Sequence, residues 1–579
     1  MGRRALVLWG EVPTRPPAWW REFDTVFARR THTEVLEQLG VAYEDLDAIL
    51  DPGSIFEATD MVRALARITL PDGSRLAKSV LYKGYELWWI HYDDLHLKFC
   101  LPFTQYEPLL KALTAYEEVH SYNPPSSTLF GYYLEAHGVR YEAIDDPSPD
   151  RLPFGMVLQI ILSLPFLIAL MIRRPGLMLW TSDRFDPPRD HDFRTRFLYE
   201  ELHNRRIPFV EFIRSQETWK TMLEHAKVRR RPVIYSHAIT TALRLLAGVL
   251  VKKDDHRVRA LVTQQGGTPE ETFRFLLATH YLRNVTGDIW AIRAMQLVLW
   301  AIGIRAAYVP AALSRNFHEV LAAKRSRIPI IGILHGVSSK SYNVYDFMPE
   351  YDGTLSLSVD RYGLWSPWWR EYYLENSKVY KPEQLAVSGP MRPVERGSLP
   401  EKKAERTPGE PIKVLFIAEQ LGIPKEILPY LTALLDAPDL SFHMKVRSYK
   451  DGFEEWLAAN RPDLIERMDQ ERIFRGGMNE AIAACDVVVG SHSTAVLESL
   501  LQLKPCIFYD TKKWGDYFDL RSFRSDHKLI GDTPEEFLGL VRQATDIPEA
   551  TLKELQYRFF GDPYENGSAW VVDELAKRL

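Results

Sequence analysis

Residues 484–510, ACDVVVGSHSTAVLESLLQLKPCIFYD, carry a strand, a turn, a helix and a second strand in one line. Asp486 to Val489 is a short β-branched run of the kind buried in parallel sheets. Gly490-Ser491-His492-Ser493-Thr494 is a tight polar turn. Ala495 to Leu503 spaces Val496, Leu500 and Leu503 along one helical face, and Lys504-Pro505 stops the helix before the strand Cys506 to Tyr509. Hydroxyls thus stand at a helix start, where unpaired N–H groups and the helix dipole favour an anion. A plain helix cap is the alternative. A capping box would place Glu or Gln three residues on, where Val496 and Leu497 stand. Glu498 sits one turn further in, a position from which a carboxylate reaches a ribose hydroxyl pair. The stretch reads as a phosphate-and-ribose site with Ser491, Ser493, Thr494 and Glu498 as its residues.

The remainder of the chain is built for the same class. Its 579 residues exceed one core, so two or three domains are expected. Hydrophobic residues at 46% and charged residues at 26% describe a globular protein. A net charge of -5 gives no electrostatic case for nucleic acid. Cys100, Cys485 and Cys506 are the only cysteines, without metal spacing or a disulfide framework, which suits a reducing cytoplasm. The opening MGRRALVLWG ends at Glu11 and reads as a first strand, not a signal peptide.

From Trp20 to Ala66 the pattern reads as helical. Residues 81–113 are rich in aromatics, with Trp88, Trp89, His91, Tyr92 and Phe99 suited to a core, a sugar ring or a membrane interface. Glu117 to Asn123, Ser126 to His137 and Val139 to Ala143 form a βαβ unit. Residues 153–172 carry no charge and end at Arg173-Arg174, just long enough to span a bilayer. The strands on either side read as parts of one sheet and Pro165 interrupts the run, so a helix lying at the membrane surface or buried in the core is expected instead. Strands at 177–181, 208–213, 232–236, 306–310, 329–334, 355–359 and 384–387 then alternate with helices, and a long helical region covers 237–304. Residues 394–411, rich in proline and charge, read as a linker, and Ile412 to Ala418 opens a second alternating half. The expected architecture is α/β: an N-terminal Rossmann-like domain over 1–393 with helical, aromatic insertions, and a C-terminal one over 412–550. The two face each other across a cleft, and helices over 551–579 can cross back to the first.

Open parallel sheets present reactive groups at the carboxyl ends of their strands. His335 stands there after IPIIGIL, in reach of a neutral-pH base role, and Ser338, Ser339 and Lys340 follow as donors for an anionic group. Asp183, directly after a strand, is a second candidate base. Asp190-His191-Asp192 is formally a D-x-D, but its place before a helix favours capping over metal. Lys445 and Arg447 follow a strand of the second half and suit phosphates, although a solvated loop fits equally. No P-loop, G-x-G-x-x-G, G-x-S-x-G or H-E-x-x-H is present.

With these residues in view, the chain resembles a GT-B glycosyltransferase of the bacterial surface-polysaccharide group. That group includes CDP-glycerol glycerophosphotransferases, capsule Kdo transferases and bacterial polysialyltransferases. GSHSTAVLESLLQLKPCIFYD resembles the S-[ST]-x-x-x-E…G-K-P-x-[IV] nucleotide signature, LHGVSSK the H-G-x-x-x-K segment, and PYENGSAWVVDEL the D-G-x-[AS]-x-R-[IV] ending, with Trp570 in place of Arg. The K-x-H-P loop of such enzymes stands here as Lys445-Val446-Arg447-Ser448, so Arg447 takes the place of its His. The resemblance implies His335 as base, phosphate on Ser493 and Thr494, ribose on Glu498, and Lys340 beside the base. It further implies a nucleotide-sugar or CDP-activated donor as substrate, no cofactor and no metal. The acceptor would be a glycan or lipid-linked molecule, handled at the inner face of a membrane. A nucleotide-sugar 2-epimerase shares the fold and the nucleotide site. A non-catalytic scaffold of a polysaccharide assembly is the reading from another class.

Overall fold

Short apolar runs alternating with amphipathic helices close three parallel sheets, each needing crossover connections because its strands run the same way. A computed structural model describes the chain outside residues 1–2, 10–16, 30–31, 145–152, 183–184, 187–190, 193–194, 216, 230, 251–266, 312–314, 337–338, 341–344, 349–350, 352–354, 405–408, 420–421, 447–452 and 523–526.

The first sheet holds β1 (Arg4–Leu8), β2 (Thr25–Ala28), β3 (Tyr43–Asp45), β4 (Glu118–Tyr122) and β5 (Arg140–Ile144) in the order β3-β2-β1-β4-β5, all parallel. Around it lie helices α1 (Ile55–Ala66), α2 (Trp88–Leu95), α3 (Leu101–Leu113) and α4 (Ser127–Ala136). Trp88, Trp89 and Tyr92 are buried, so the aromatic stretch is core. The span expected to be helical from Trp20 to Ala66 contains β2 and β3, strands of four and three residues, too short to show a period.

Helix α5 (Pro153–Arg173) leads into the second sheet. That sheet holds β6 (Leu177–Ser182), β7 (Phe209–Arg214), β8 (Val233–Ile234), β9 (Ala306–Tyr308), β10 (Ile330–Ile333), β11 (Arg361–Leu364) and β12 (Leu385–Val387). The order is β8-β7-β6-β9-β10-β11-β12, so the direction of winding reverses between β6 and β9. The strands flanking α5 therefore belong to different sheets, correcting the expectation that they share one. The strand expected at 355–359 lies instead at Arg361–Leu364, after Asp360, whose carboxylate accepts the Ile330 N–H (2.9 Å). Helices α6 (Ser236–Leu250), α7 (Val285–Ala301) and α8 (Phe317–Arg325) complete this half. Pro165 does not break α5. Ser163 Oγ donates to the Gln159 carbonyl (2.8 Å) and accepts the Tyr235 N–H (3.0 Å), fixing one side of α5 to the end of β8.

No helix or strand occurs among the described residues of 394–411. The third sheet then holds β13 (Ile412–Ile417), β14 (Leu440–Lys445), β15 (Ile473–Phe474), β16 (Val487–Gly490), β17 (Cys506–Tyr509) and β18 (Ile530–Gly531), ordered β15-β14-β13-β16-β17-β18. Helix α9 (Thr494–Leu497) follows β16, and the last helix, α10 (Gly567–Ala576), returns to the second sheet. There Val571, Val572 and Leu575 share a core with Leu177, Leu179, Ile331 and Ile333. The second and third sheets are two Rossmann-like domains, and the first is a further Rossmann-like layer within the N-terminal elaboration.

Candidate functional site

In the third sheet the winding reverses between β13 and β16, which pair through Val414 and Val487 to Phe416 and Val489. Ligands of open α/β sheets bind at the carboxyl ends of such a pair. Gly490 closes β16 because a β-carbon there would stand 2.6 Å from Val496 Cγ2 and 3.2 Å from Glu419 Oε1. Glu419, two residues past β13, is buried beneath the turn. It accepts N–H groups from Ser491 (3.0 Å), His492 (2.9 Å) and Ser493 (2.8 Å), and the Ser491 hydroxyl (2.7 Å). Burial opposes its charge, yet His492, with Nδ1 at 3.1 Å, and these hydrogen bonds draw its pKa down to about 2. The His492 ring stacks on Trp514, with centroids 4.2 Å apart.

This arrangement corrects the expected phosphate cradle. The amides of the turn and the Ser491 hydroxyl already hold a carboxylate of the same chain. Ser493 Oγ accepts the Ala495 N–H at 3.4 Å, the plain cap. The helix is also shorter than expected: one α turn, then a 3-10 turn over Glu498–Gln502, closed by Leu503 at φ +52°. Thr494 and Glu498 remain on the cleft side, and Glu498 Oε1 lies 3.5 Å from Arg392 Nη2 of the first half. Lys445 ends β14 beside Ile417, buried, its amine donating to the Val446 carbonyl. Arg447 lies outside the described residues.

Across the cleft, β10 ends at Ile333 and hands on to exposed His335 and to Gly336. A β-carbon on Gly336 would stand 3.9 Å from Thr494 Oγ1, so the strand end bearing His335 meets the helix start of the other domain. Lys340 and Ser339, expected to receive an anion, hold the domains together instead. Lys340 Nζ pairs with Asp519 (3.0 Å) and its N–H donates to Tyr372 Oη (2.9 Å). Ser339, fully buried, donates to the Tyr517 carbonyl (2.5 Å). Ser338 and Asp183 lie outside the described residues, as does Asp190. His191–Asp192 pairs antiparallel with Phe185–Asp186, and Thr195 stands at the start of the following helix, so the D-x-D is not a cap. Among the described residues no group of three His, Cys, Asp or Glu side chains is arranged to hold a metal ion. Glu419, Arg392 and Asp519 are the site residues that the sequence did not single out. Only Glu419 left a signal, as the first carboxylate past an apolar strand.

No protein-family model matches the chain, and no curated protein matches it. Among solved structures it is similar to the UDP-GlcNAc 2-epimerase from Neisseria meningitidis bound to UDP-GlcNAc, at 13% identity over 69% of this chain and 99% of that one, with a TM-score of 0.39. It is similar to the lipopolysaccharide outer core galactosyltransferase WaaB at 10% identity, with 69% and 99% covered and a TM-score of 0.38. Acinetobacter baumannii MurG stands at 12% identity, 69% and 99% covered, and a TM-score of 0.38. Likenesses of this size bear on neither activity nor substrate.

Proposed function

We propose that the chain is an inverting, metal-independent glycosyltransferase. It would move a sugar or polyol phosphate from a nucleotide-activated donor to a surface-polysaccharide or lipid-linked acceptor. The observation that carries this reading is the meeting of His335–Gly336 with Thr494 across the cleft. A donor whose phosphates lie against Thr494, with Arg447 adding positive charge, would turn its reactive carbon towards the first half. Glu498 would take the ribose, exchanging Arg392 for the hydroxyl pair. His335 would accept the proton of the acceptor hydroxyl as its oxygen forms the new bond. The bond to the nucleotide phosphate breaks with its electron pair leaving on that phosphate, where fixed donors stabilise the charge. Asp183 is the alternative base.

The exposed apolar face of α5 supports attachment to the inner surface of a membrane. The helix exposes Val157, Ile161, Leu164, Ile168 and Ile172, carries no charge before Arg173, and is followed by Arg174.

Calorimetry with CMP, CDP, UDP and GDP on the wild type and Glu498→Ala tests the donor site. One nucleotide is expected to bind, and the variant should lose roughly 1.5–3 kcal/mol of that affinity. Equal binding by both proteins removes Glu498 from the site. An epimerised sugar nucleotide made without acceptor would replace transfer by epimerisation, and no nucleotide binding at all would favour a scaffold.

A further inference from the structure

The carboxyl edge of the second sheet is built for more than the base. Around the winding reversal, four buried polar atoms from four elements have no hydrogen-bond partner. They are Thr181 Oγ1 at the end of β6, Arg214 Nε at the end of β7, Ser236 Oγ at the start of α6 and Glu319 Oε1 in the first turn of α8. Ser236 and Glu319 are neighbours, yet no well-formed hydrogen bond joins them. Buried polar groups are almost always satisfied, so a cluster left open at a strand-end edge marks a place for a ligand atom.

The charge of the place sets the ligand's sign. Arg214 and Arg315 lie within electrostatic reach of each other, and neither forms an ion pair among the described residues. Burial and Arg315 both disfavour the charge of Arg214, while Asp93 and Asp94 of α2 favour it from a distance. His237 is held to about 4 by burial and by Arg214, His318 and Arg244, with only Asp94 opposing. Arg244 and His318 are engaged elsewhere, both on the fully buried Asp288 at 2.9 and 2.8 Å. The first turns of α6 and α8, with their outward N–H groups, open on the same edge. Arg214, Arg315 and two helix starts around open hydroxyls favour an anion among them, and burial raises the pKa of the Glu319 carboxyl beside Ser236, which weakens its opposition.

We propose that Arg214, Arg315, Ser236 and His237 form a subsite for an anionic group, a phosphate or carboxylate, carried by the acceptor. The subsite rests on the transferase reading above only for the word acceptor. β7 and β10 are three strand spacings apart, roughly 14 Å. The anion would therefore sit a sugar unit or two from the hydroxyl presented to His335. Ser236 and Leu250 end a helix roughly 20 Å long, and its Leu250 end is an exposed apolar one. The anion can thus come from a lipid-borne phosphate or from a soluble glycan.

Titration of the full chain with inorganic phosphate, followed by calorimetry and by the histidine resonances in NMR, tests the site. Phosphate is expected to bind saturably and to raise the pKa of His237, its resonance assigned with His237→Gln. Arg315→Gln, at an exposed position that leaves the fold intact, should weaken binding at least tenfold, and Arg214→Gln should do the same. A His237 resonance that saturating phosphate leaves in place, or undiminished binding in both variants, overturns the subsite. The same variants should bind nucleotide as the wild type does. Phosphate at His237 with no nucleotide bound anywhere would sink the transferase reading and leave the subsite standing. Flotation with zwitterionic vesicles carrying a polyprenyl phosphate, compared with the polyprenol, separates the sources. Phosphate-dependent flotation lost in Arg315→Gln supports a lipid-borne anion, and binding of a soluble sugar phosphate without such flotation supports a free one.

Discussion

Glu419 makes the turn after Gly490 rigid from below, because three N–H groups and a hydroxyl converge on one buried carboxylate. Glu419→Gln keeps the shape but removes the charge, which should cost roughly 1.5–3 kcal/mol and speed hydrogen exchange at Ser491 to Ser493. Exchange there as slow as in the wild type would show that the charge is dispensable. The pH dependence has a definite direction. The folded pKa of about 2 lies below the ordinary 4.5, so the stabilisation is complete above about pH 4.5 and is lost as the pH falls towards 2. The loss is on the order of 3 kcal/mol, readable by chemical unfolding at pH 7, 4.5 and 3, and Glu419→Gln should flatten that slope. For His335→Ala the expected result is a rate lower by roughly 10²–10⁴-fold with donor affinity nearly unchanged. Single-turnover rates beside calorimetry separate the two, and loss of donor binding instead would make the residue structural. At this scale the sequence was only half legible. It marks Gly490, Ser493, Thr494 and Glu498, because strand ends and helix starts have local signatures. It hides Glu419, because a residue about seventy positions upstream meets the turn only through the pairing of β13 with β16.

Among the elements, α6 and α7 pack backbone to backbone. A β-carbon on Gly287 would lie 2.9 Å from Arg244 Cα, which is backbone and cannot swing away. The next residue, Asp288, holds His91 (2.6 Å), His318 and Arg244 from three other helices. Gly287→Val should cost about 1–3 kcal/mol through overpacking. Asp288→Ala should cost about 3–5 kcal/mol, since it leaves the buried His91 and His318 and the half-buried Arg244 without their common acceptor. Thermal unfolding ranks them, and an Asp288→Ala protein as stable as the wild type would deny the network its role. The strands Ile330–Ile333, Val487–Gly490 and Cys506–Tyr509 were legible because each is a short, continuous apolar run. β2 and β3 were not, since four and three residues give no period and a neighbouring sheet decides their state. Arg361–Leu364 was displaced from the expected 355–359 because the alternating Leu355, Leu357 and Val359 look more like a strand than RYGL does, and only pairing with β10 selects the latter.

For the whole molecule, the three layers place their surfaces differently. The cleft is bridged by Lys340–Asp519, Ser339–Tyr517 and Arg392–Glu498, so nucleotide binding at Glu498 would exchange a bridge between domains for a ligand. Away from it, α5 exposes Val157, Ile161, Leu164, Ile168 and Ile172 along one side. Flotation with anionic vesicles is expected to carry the protein up, and Ile168→Glu with Ile172→Glu should leave it in the soluble fraction. A wild type that stays soluble would make this face an interface with protein. The alternation of strands and helices could be followed along the chain. The presence of a third sheet could not, because nothing in a sequence states which sheet a short strand joins.

The return of α10 to the second sheet also has a consequence for biosynthesis. The core that Leu177, Ile331 and Ile333 share with Val571, Val572 and Leu575 stays uncovered until the chain has been made past residue 575. Roughly 180 residues separate Val387 from Gly567, an interval of about 10–40 s at ordinary translation speeds. During it, the middle of the nascent chain presents bare β-branched surface, and a chaperone that shields such surface is the natural companion of its synthesis.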